Sequence, residues 1–382
     1  MDQPKVFEIG PIRPPSEAGS LLLRVTKGCT WNKCKFCALY RKTDFRAYPT
    51  EELLRTIDRI VYYRDRIEAR RGPGGAYDYE AISRDMEPHA PEEQECYYMV
   101  LNWLANGGRS AFLQDGNTMA LSPGRLVKIL RYLKESLPEI QRITSYGRAE
   151  SLAKISVEQY LELKAAGLSR IHSGFESGSD EVLALIQKGV TARQEILAGQ
   201  NVKKAGIEFS VYFMPGIGGK ALSEKNAVET ADVINQINPD FVRLRTTVIN
   251  RGTDLWKEAE AGNYRPCTDM EKLLEIRLLI SEITRCDGCL AGDHIINLLQ
   301  HVSGRLDRDK TRMLAAIDDF LRLPRREQRR FQLARRAGMV VRPQDLQGLD
   351  PDEAARIDAV CASVTEPDEW EELLNRYLRR YI

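Results

Sequence analysis

Between residues 21 and 248 the chain alternates short apolar runs with stretches of helical periodicity, and this narrows the possible folds more than any other feature. Runs at 21–26, 111–115, 143–148, 170–175, 207–214 and 241–248 read as strands. Helix starts are marked between them. Ser122-Pro123 offers an N-cap with proline at the first helical position. Ser156 with Gln159, and Thr191 with Gln194, have capping-box spacing. Thr50 is placed to cap a helix in which Leu53, Leu54, Ile57, Ile60 and Val61 share a face. A further helix is expected over 223–236. Strand, helix and strand in succession require parallel pairing through right-handed crossovers. The expected fold class is α/β, an open partial (β/α)6 TIM barrel over 21–255. An irregular, proline-bearing segment is expected over 1–20, and an insertion at about 70–91, where Gly72-Pro73-Gly74-Gly75 interrupts the pattern. A helical C-terminal domain is expected over 256–382, with helices at 271–283, 293–299, 310–323 and 351–364.

Where the first strand hands over to the first helix, Cys29, Cys34 and Cys37 stand in the spacing C-x4-C-x2-C. Loops at the C-terminal ends of barrel strands are where chemistry gathers. Three thiolates on one loop can hold three corners of a cubane iron–sulfur cluster. With no fourth cysteine nearby, one iron stays open to another ligand. A zinc knuckle is the competing reading; it needs a fourth Cys or His, and the nearest histidine downstream is His89.

The stretch resembles the cluster loop of the radical SAM superfamily, whose usual spacing, C-x3-C-x2-C, is one residue shorter in the first gap. That resemblance implies a [4Fe–4S] cluster with S-adenosylmethionine at its open iron, and Phe36, before the last cysteine, beside the adenine. It also implies roles for residues at later strand ends. Asp115 and Asn117 stand where the superfamily receives the methionine amino group, and Arg148 where a cation meets the methionine carboxylate. Gly174-Phe175-Glu176-Ser177-Gly178-Ser179 looks like the Glu-Ser-Gly-Ser turn of the methylthiotransferase and coproporphyrinogen dehydrogenase branch. There the acidic residue binds the ribose hydroxyls, which maps onto Glu176, next to Ser177. Met214 opens a glycine-rich turn of the kind that lies under the adenine. The implied chemistry is reductive cleavage of S-adenosylmethionine to a 5′-deoxyadenosyl radical that takes hydrogen from a substrate. An electron donor such as flavodoxin or ferredoxin is the implied partner.

Alternation along the strands adds a second expectation. Glu208, Ser210, Tyr212 and Met214 share one face, as do His172, Gly174 and Glu176, and Arg243 with Arg245. A lumen of this kind is expected to be a polar binding cavity, since buried charges without partners cost several kcal/mol each. An internal lattice pairing Glu208 with Arg243 or Arg245 is the alternative. Arg243 and Arg245 favour a small polar or anionic substrate, though Arg243 can also serve the methionine carboxylate. Tyr212, Asp293 and His294 are the candidate catalytic residues. Asp293, His294 and Asn297 are expected on one helix face, as substrate contacts or proton donors.

The balance of 56 basic against 55 acidic residues, a net charge of +1, gives no global field for nucleic acid or membrane. A nucleic-acid partner is not expected on this ground, and an RNA-modifying activity is the subsidiary reading. The arginine-rich run 325–336 reads as a solvated helix face. Eight cysteines fit a reducing cytoplasm rather than a disulfide scaffold. Met1-Asp2-Gln3-Pro4-Lys5 lacks the basic and apolar regions of a leader peptide. No run approaches the roughly 18 apolar residues of a membrane span. With twenty residues before the first strand, neither a cobalamin domain nor a second cluster domain is expected. Cys267, Cys286, Cys289 and Cys361 are candidates for an auxiliary metal, with Cys286 and Cys289 in knuckle spacing. A non-catalytic iron–sulfur or zinc carrier is the reading from a different class.

Overall fold

The computed structural model describes residues 7–381. The leader reading of residues 1–5 lies outside them. Eight strands form one sheet in sequence order: β1 (Leu21–Arg24), β2 (Ser110–Gln114), β3 (Arg142–Tyr146), β4 (Leu168–Glu176), β5 (Glu208–Phe213), β6 (Phe241–Leu244), β7 (Cys289–Ala291) and β8 (Gly304–Arg305). The sheet is mostly parallel, with β8 antiparallel to β7. The α/β class therefore stands, with two strands more than the six expected.

The chain divides into two compact units. The first comprises residues 1–32, 42–173 and 201–209. Here β1 pairs with β2 in the register Leu21 to Ala111, and β2 with β3 from Ser110 to Arg142. All of β1 is buried, as expected for a parallel strand covered on both faces. The helix Thr50–Glu68 buries Leu53, Ile57, Ile60, Tyr63 and Ile67 at helical spacing. Under the strand beginnings, buried Glu17 accepts from Ser20 Oγ at 2.6 Å and from Arg142 at 3.2 Å, and lies 3.7 Å from His172 Nε2.

The second unit comprises 33–41, 174–200 and 210–382. In it β6 pairs with the end of β5 and with β7. The helices Gly219–Ile237 and Asp269–Glu282 pack together, burying Ala227, Ala231 and Ile234 in one and Leu273, Ile276, Leu279 and Ile280 in the other.

Several expectations change. Strands do not stop near residue 251: β7 and β8 are three and two residues long, too short for a period-two pattern to register. Residues 293–299 are not helical; Asn297 is instead turned to the backbone of 244–246 and 292. The expected insertion holds a helix, Tyr79–Met86, capped by Asp78. Thr50 is the first residue of its helix rather than the cap, and Ser122 makes no side-chain cap bond. Both capping boxes form, Ser156 with Gln159 and Thr191 with Gln194. A helix at Pro367–Leu378 follows those expected.

The arginine run is only partly solvated. Arg336 is 2 % exposed, doubly bonded to Asp269 at 2.8 and 3.1 Å and donating to the Ile296 carbonyl. Arg335, 3 % exposed, donates to the carbonyls of Ile295 and Asn297. Among the described residues no helix is long and apolar enough to cross a membrane.

Candidate functional site

In the first unit the site is built on the ends of β1, β2 and β3. Gly28 turns the chain out of β1 at φ 85°, and a Cβ there would lie 3.2 Å from the Asp44 carbonyl, so only glycine makes this turn without strain. The carboxylate of Asp115, fully buried, accepts from Arg24 Nη2 at 2.7 Å and from the Gly28 amide at 3.2 Å. Burial pushes this carboxyl up in spite of those donors. Asn117 donates to Thr30 Oγ1 and Ser151 Oγ, both at 2.8 Å, and accepts from the Arg148 amide at 2.9 Å. Asp115 and Asn117, expected to receive the methionine amino group, thus spend these polar atoms gripping the cysteine loop. The Arg148 guanidinium lies over Trp31, 5.6 Å from the ring centre.

In the second unit the loop continues with Cys34 and Cys37, the Cys37 amide donating to the Cys34 carbonyl. Arg41 donates to the carbonyls of Cys34 and Cys37 at 2.8 and 3.0 Å and pairs with Asp254 at 2.9 Å. The Lys35 amide donates to Ile186, its carbonyl accepts from Leu255, and its ammonium pairs with Glu258 at 2.7 Å. Phe36 packs on an apolar cluster of Val182, Ile186, Met214, Ile217, Leu255 and Tyr264. Two residues expected beside the adenine, Phe36 and Met214, therefore belong to one apolar cluster.

Glu176 sits at φ 68°, its carbonyl accepting from the Met214 amide and its carboxylate from Lys188 Nζ at 2.9 Å. A Cβ on Gly174 would stand 2.3 Å from Glu176 Oε1, so the carboxylate lies back over bare β4 backbone. Ser177 Oγ accepts from the Ser179 amide, and the Gly178 amide donates to Thr230, fixing the rest of the turn. Lys188 also stands over Phe36, 5.8 Å from the ring centre. It is the site residue that sequence reading missed, an ordinary lysine before a glycine.

A second missed residue is Glu275. From the helix Asp269–Glu282 it accepts from the Gly216 amide at 2.9 Å, from Asn226 at 2.6 Å and from Ser223 Oγ. Burial pushes this carboxyl up to about 7, the three donors only partly opposing it. It holds the turn that follows β5 and Met214.

The expected lumen charges are divided. Glu208 pairs with Arg170 at 2.6 Å, not with Arg243 or Arg245, and His172 faces Glu17. The expected lumen lattice does not form as foreseen: Glu208 is exposed in its pair with Arg170, while His172 and Glu17 are buried together. Arg243, 7 % exposed, donates to Ser210 at 3.1 Å and lies 3.8 Å from Asp293. Tyr212 is half-buried on β5. His294 follows Asp293 on a loop; burial, then the Arg245 charge, pushes its imidazole down to about 4. At neutral pH that ring is uncharged, and its Nδ1 accepts from the Ile296 amide at 3.3 Å.

None of the eight cysteines is in a disulfide; Cys29 and Cys37 are half-buried and Cys34 is buried. Among the described residues no three His, Cys, Asp or Glu side chains already stand at ion-holding separation. The donor set is nonetheless the right one for iron–sulfur chemistry: three soft thiols on a nonhelical loop and no disulfide. Cys286 Sγ donates to the Pro239 carbonyl, just before β6, at 3.5 Å, and Cys289 Sγ to the Leu290 carbonyl in β7 at 3.6 Å.

Residues 79–231 match the family model of the radical SAM superfamily. That stretch, less than half of the chain, is similar to a radical SAM core. Members of the superfamily are enzymes that work with a [4Fe–4S] cluster and S-adenosylmethionine. A tRNA uridine(34) acetyltransferase of Methanocaldococcus infernus is 25% identical over 127 residues, 33% of this chain and 23% of that protein. A 4′-phospho-dehydrooxetanocin synthase of Priestia megaterium is 25% identical over 198 residues, 51% of this chain and 23% of that protein. The matches thus span about a quarter of those relatives' length, 23% in each. Among solved structures, methylornithine synthase superposes with TM-score 0.41 at 15% identity, over 69% of this chain and 62% of that one.

Proposed function

We propose that this radical SAM enzyme binds its cluster through Cys29, Cys34 and Cys37 and acts on a small polar or anionic substrate. The observation that carries the reading is a loop of three thiols outside any disulfide, held within each unit by side-chain hydrogen bonds. When bound, the cluster with S-adenosylmethionine supplies a 5′-deoxyadenosyl radical that takes hydrogen from the substrate. The chain's part is to hold and exclude. Phe36 and Met214 offer the adenine an apolar wall, and Glu176 offers the ribose hydroxyls a carboxylate. Arg148 is the cation for the methionine carboxylate, and Asp115 and Asn117, which hold Gly28 and Thr30, are the groups for the methionine amino end. Arg243, with Asp293 beside it and uncharged His294 next along, is the proposed substrate anchor. Eight cysteines outside any disulfide support a reducing, cytoplasmic setting and an electron donor of the flavodoxin or ferredoxin kind.

A tRNA is the second substrate class, because one matched relative is named for tRNA uridine and net charge alone does not weigh against it. The test is anaerobic reconstitution of the full chain with iron and sulfide. Brown protein with about four irons per chain, forming 5′-deoxyadenosine once dithionite is added, is the expected result. Cys29→Ala, Cys34→Ala and Cys37→Ala should each abolish both. A colourless, zinc-loaded protein that leaves S-adenosylmethionine intact sinks the proposal. Deuterium transfer into 5′-deoxyadenosine from labelled anionic metabolites or labelled tRNA separates the two substrate classes.

A further inference from the structure

The turn that Glu275 holds also borders a cavity of about 220 Å³ in the second unit, between the helices Asp254–Glu260, Asp269–Glu282 and Pro367–Leu378. One water takes up ~30 Å³, so a small molecule has room there. Apart from Gly216, in the turn that Met214 opens, none of the described residues lining it was assigned above to the cluster, the nucleoside or the substrate.

Two of its polar side chains are more than nine-tenths buried and have no partner among the described residues. Lys272, 6 % exposed, lays its stem across Gly216: a Cβ there would stand 3.0 Å from Lys272 Cγ and 3.1 Å from Cε. Its ammonium makes no hydrogen bond and meets no carboxylate at ion-pair distance. The carboxylates one turn away on its helix are taken, Asp269 by Arg336 and Glu275 by Gly216, Asn226 and Ser223. Glu371 acts on it from farther off. Thr247, 3 % exposed, follows β6, and its hydroxyl is buried and unbonded.

The other charges on the wall are answered. Arg379 and Glu372 satisfy each other through two bonds at 3.2 Å, and Glu260 is exposed to water. Asn375 adds an amide with no side-chain bond of its own among the described residues. Ammonium, hydroxyl and amide can all donate. A buried ammonium without an acceptor is strongly disfavoured, and an orphaned buried hydroxyl asks for a partner. An oxyanion supplies both needs at once.

We propose that this cavity is a second ligand site, for a small organic carboxylate or phosphate whose oxyanion takes the Lys272 ammonium and the Thr247 hydroxyl as donors. Ile249, Ala259 and the Trp256 ring give its carbon part an apolar wall. Occupied, the site ties the helix Pro367–Leu378, through Asn375, to the turns after β5 and β6. It stands whether or not the cluster and nucleoside assignments do.

The test is calorimetric titration of the full-length protein with succinate and with glycerol phosphate, each against sodium chloride at equal ionic strength. One of the two should bind, and the tighter one names the source of the oxyanion. Lys272→Met should weaken that binding about tenfold or more. Thr247→Val keeps the side-chain shape and breaks no bond, so the fold should survive while binding falls about threefold. Where Lys272→Met does not fold, Thr247→Val decides alone. Arg243→Met, at the proposed substrate anchor, should leave the binding unchanged. Binding of neither probe overturns the proposal. So does binding that Arg243→Met removes while Lys272→Met and Thr247→Val leave it intact.

Discussion

Asn117 makes three hydrogen bonds that join the cysteine loop to the ends of β2 and β3. Replacing it with alanine leaves the Thr30 and Ser151 hydroxyls and the Arg148 amide without this partner. At roughly 1 kcal/mol per bond, Asn117→Ala should lower stability by about 2–3 kcal/mol in denaturant unfolding and reduce iron retained after desalting. Gly174→Ala should behave differently. Its new Cβ collides with Glu176 Oε1, the tip of a side chain, so the fold should survive while nucleoside binding falls by about tenfold or more in calorimetry. At this scale the sequence disclosed residue types but not partners. Asp115 and Asn117 were visible as polar residues at a strand end. That they face inward to Gly28 and Thr30 depends on the path of a loop nearly ninety residues earlier. Lys188 had no motif to announce it, and Glu275 lies 59 residues from the glycine it holds.

Helices and turns carry the pH behaviour. The Glu275 carboxyl is raised from 4.5 to about 7 by burial, so the folded chain holds that proton more tightly than the unfolded chain. Its stabilising effect is complete below about pH 4.5 and fades as pH climbs to about 7, a loss of at most about 3 kcal/mol. Glu275→Gln, which keeps an acceptor for the Gly216 amide, should flatten this slope, read as melting temperatures at pH 5 and pH 8. The helix Arg325–Arg336 offers a second test. Arg336→Ala strands buried Asp269 and should cost about 3–5 kcal/mol, while Arg336→Met with Asp269→Leu should recover most of it. Elements with a local signature were legible: both capping boxes form, and the six longer strands lie within a few residues of their expected ranges. Those without one were not. β7 and β8 exist because they pair with neighbours, and the buried end of the arginine helix is set by Asp269 and the 295–297 carbonyls.

The chain as a whole passes between its two units five times, once within the cysteine loop itself, at residues 32 and 33. Residues 210–382 lie in one unit, so a cut after residue 255 removes β7 and β8 together with the Glu275 and Asn297 bonds to the turns after β5 and β6. A chain ending at residue 255 should therefore be recovered as aggregate, checked by the soluble fraction after expression. The βα alternation made the fold class readable from sequence because it repeats over more than two hundred residues. The site was readable only where it coincides with a motif.

The grip on Gly28 and Thr30 has a practical corollary. Since buried amides and carboxylates, rather than iron, bear the entropic cost of shaping that hairpin bend, protein stripped by a chelator should melt close to where the loaded protein does. Recharging it would then need only the three thiols to close on the delivered ions, on a loop whose first turn Asp115 and Asn117 already hold.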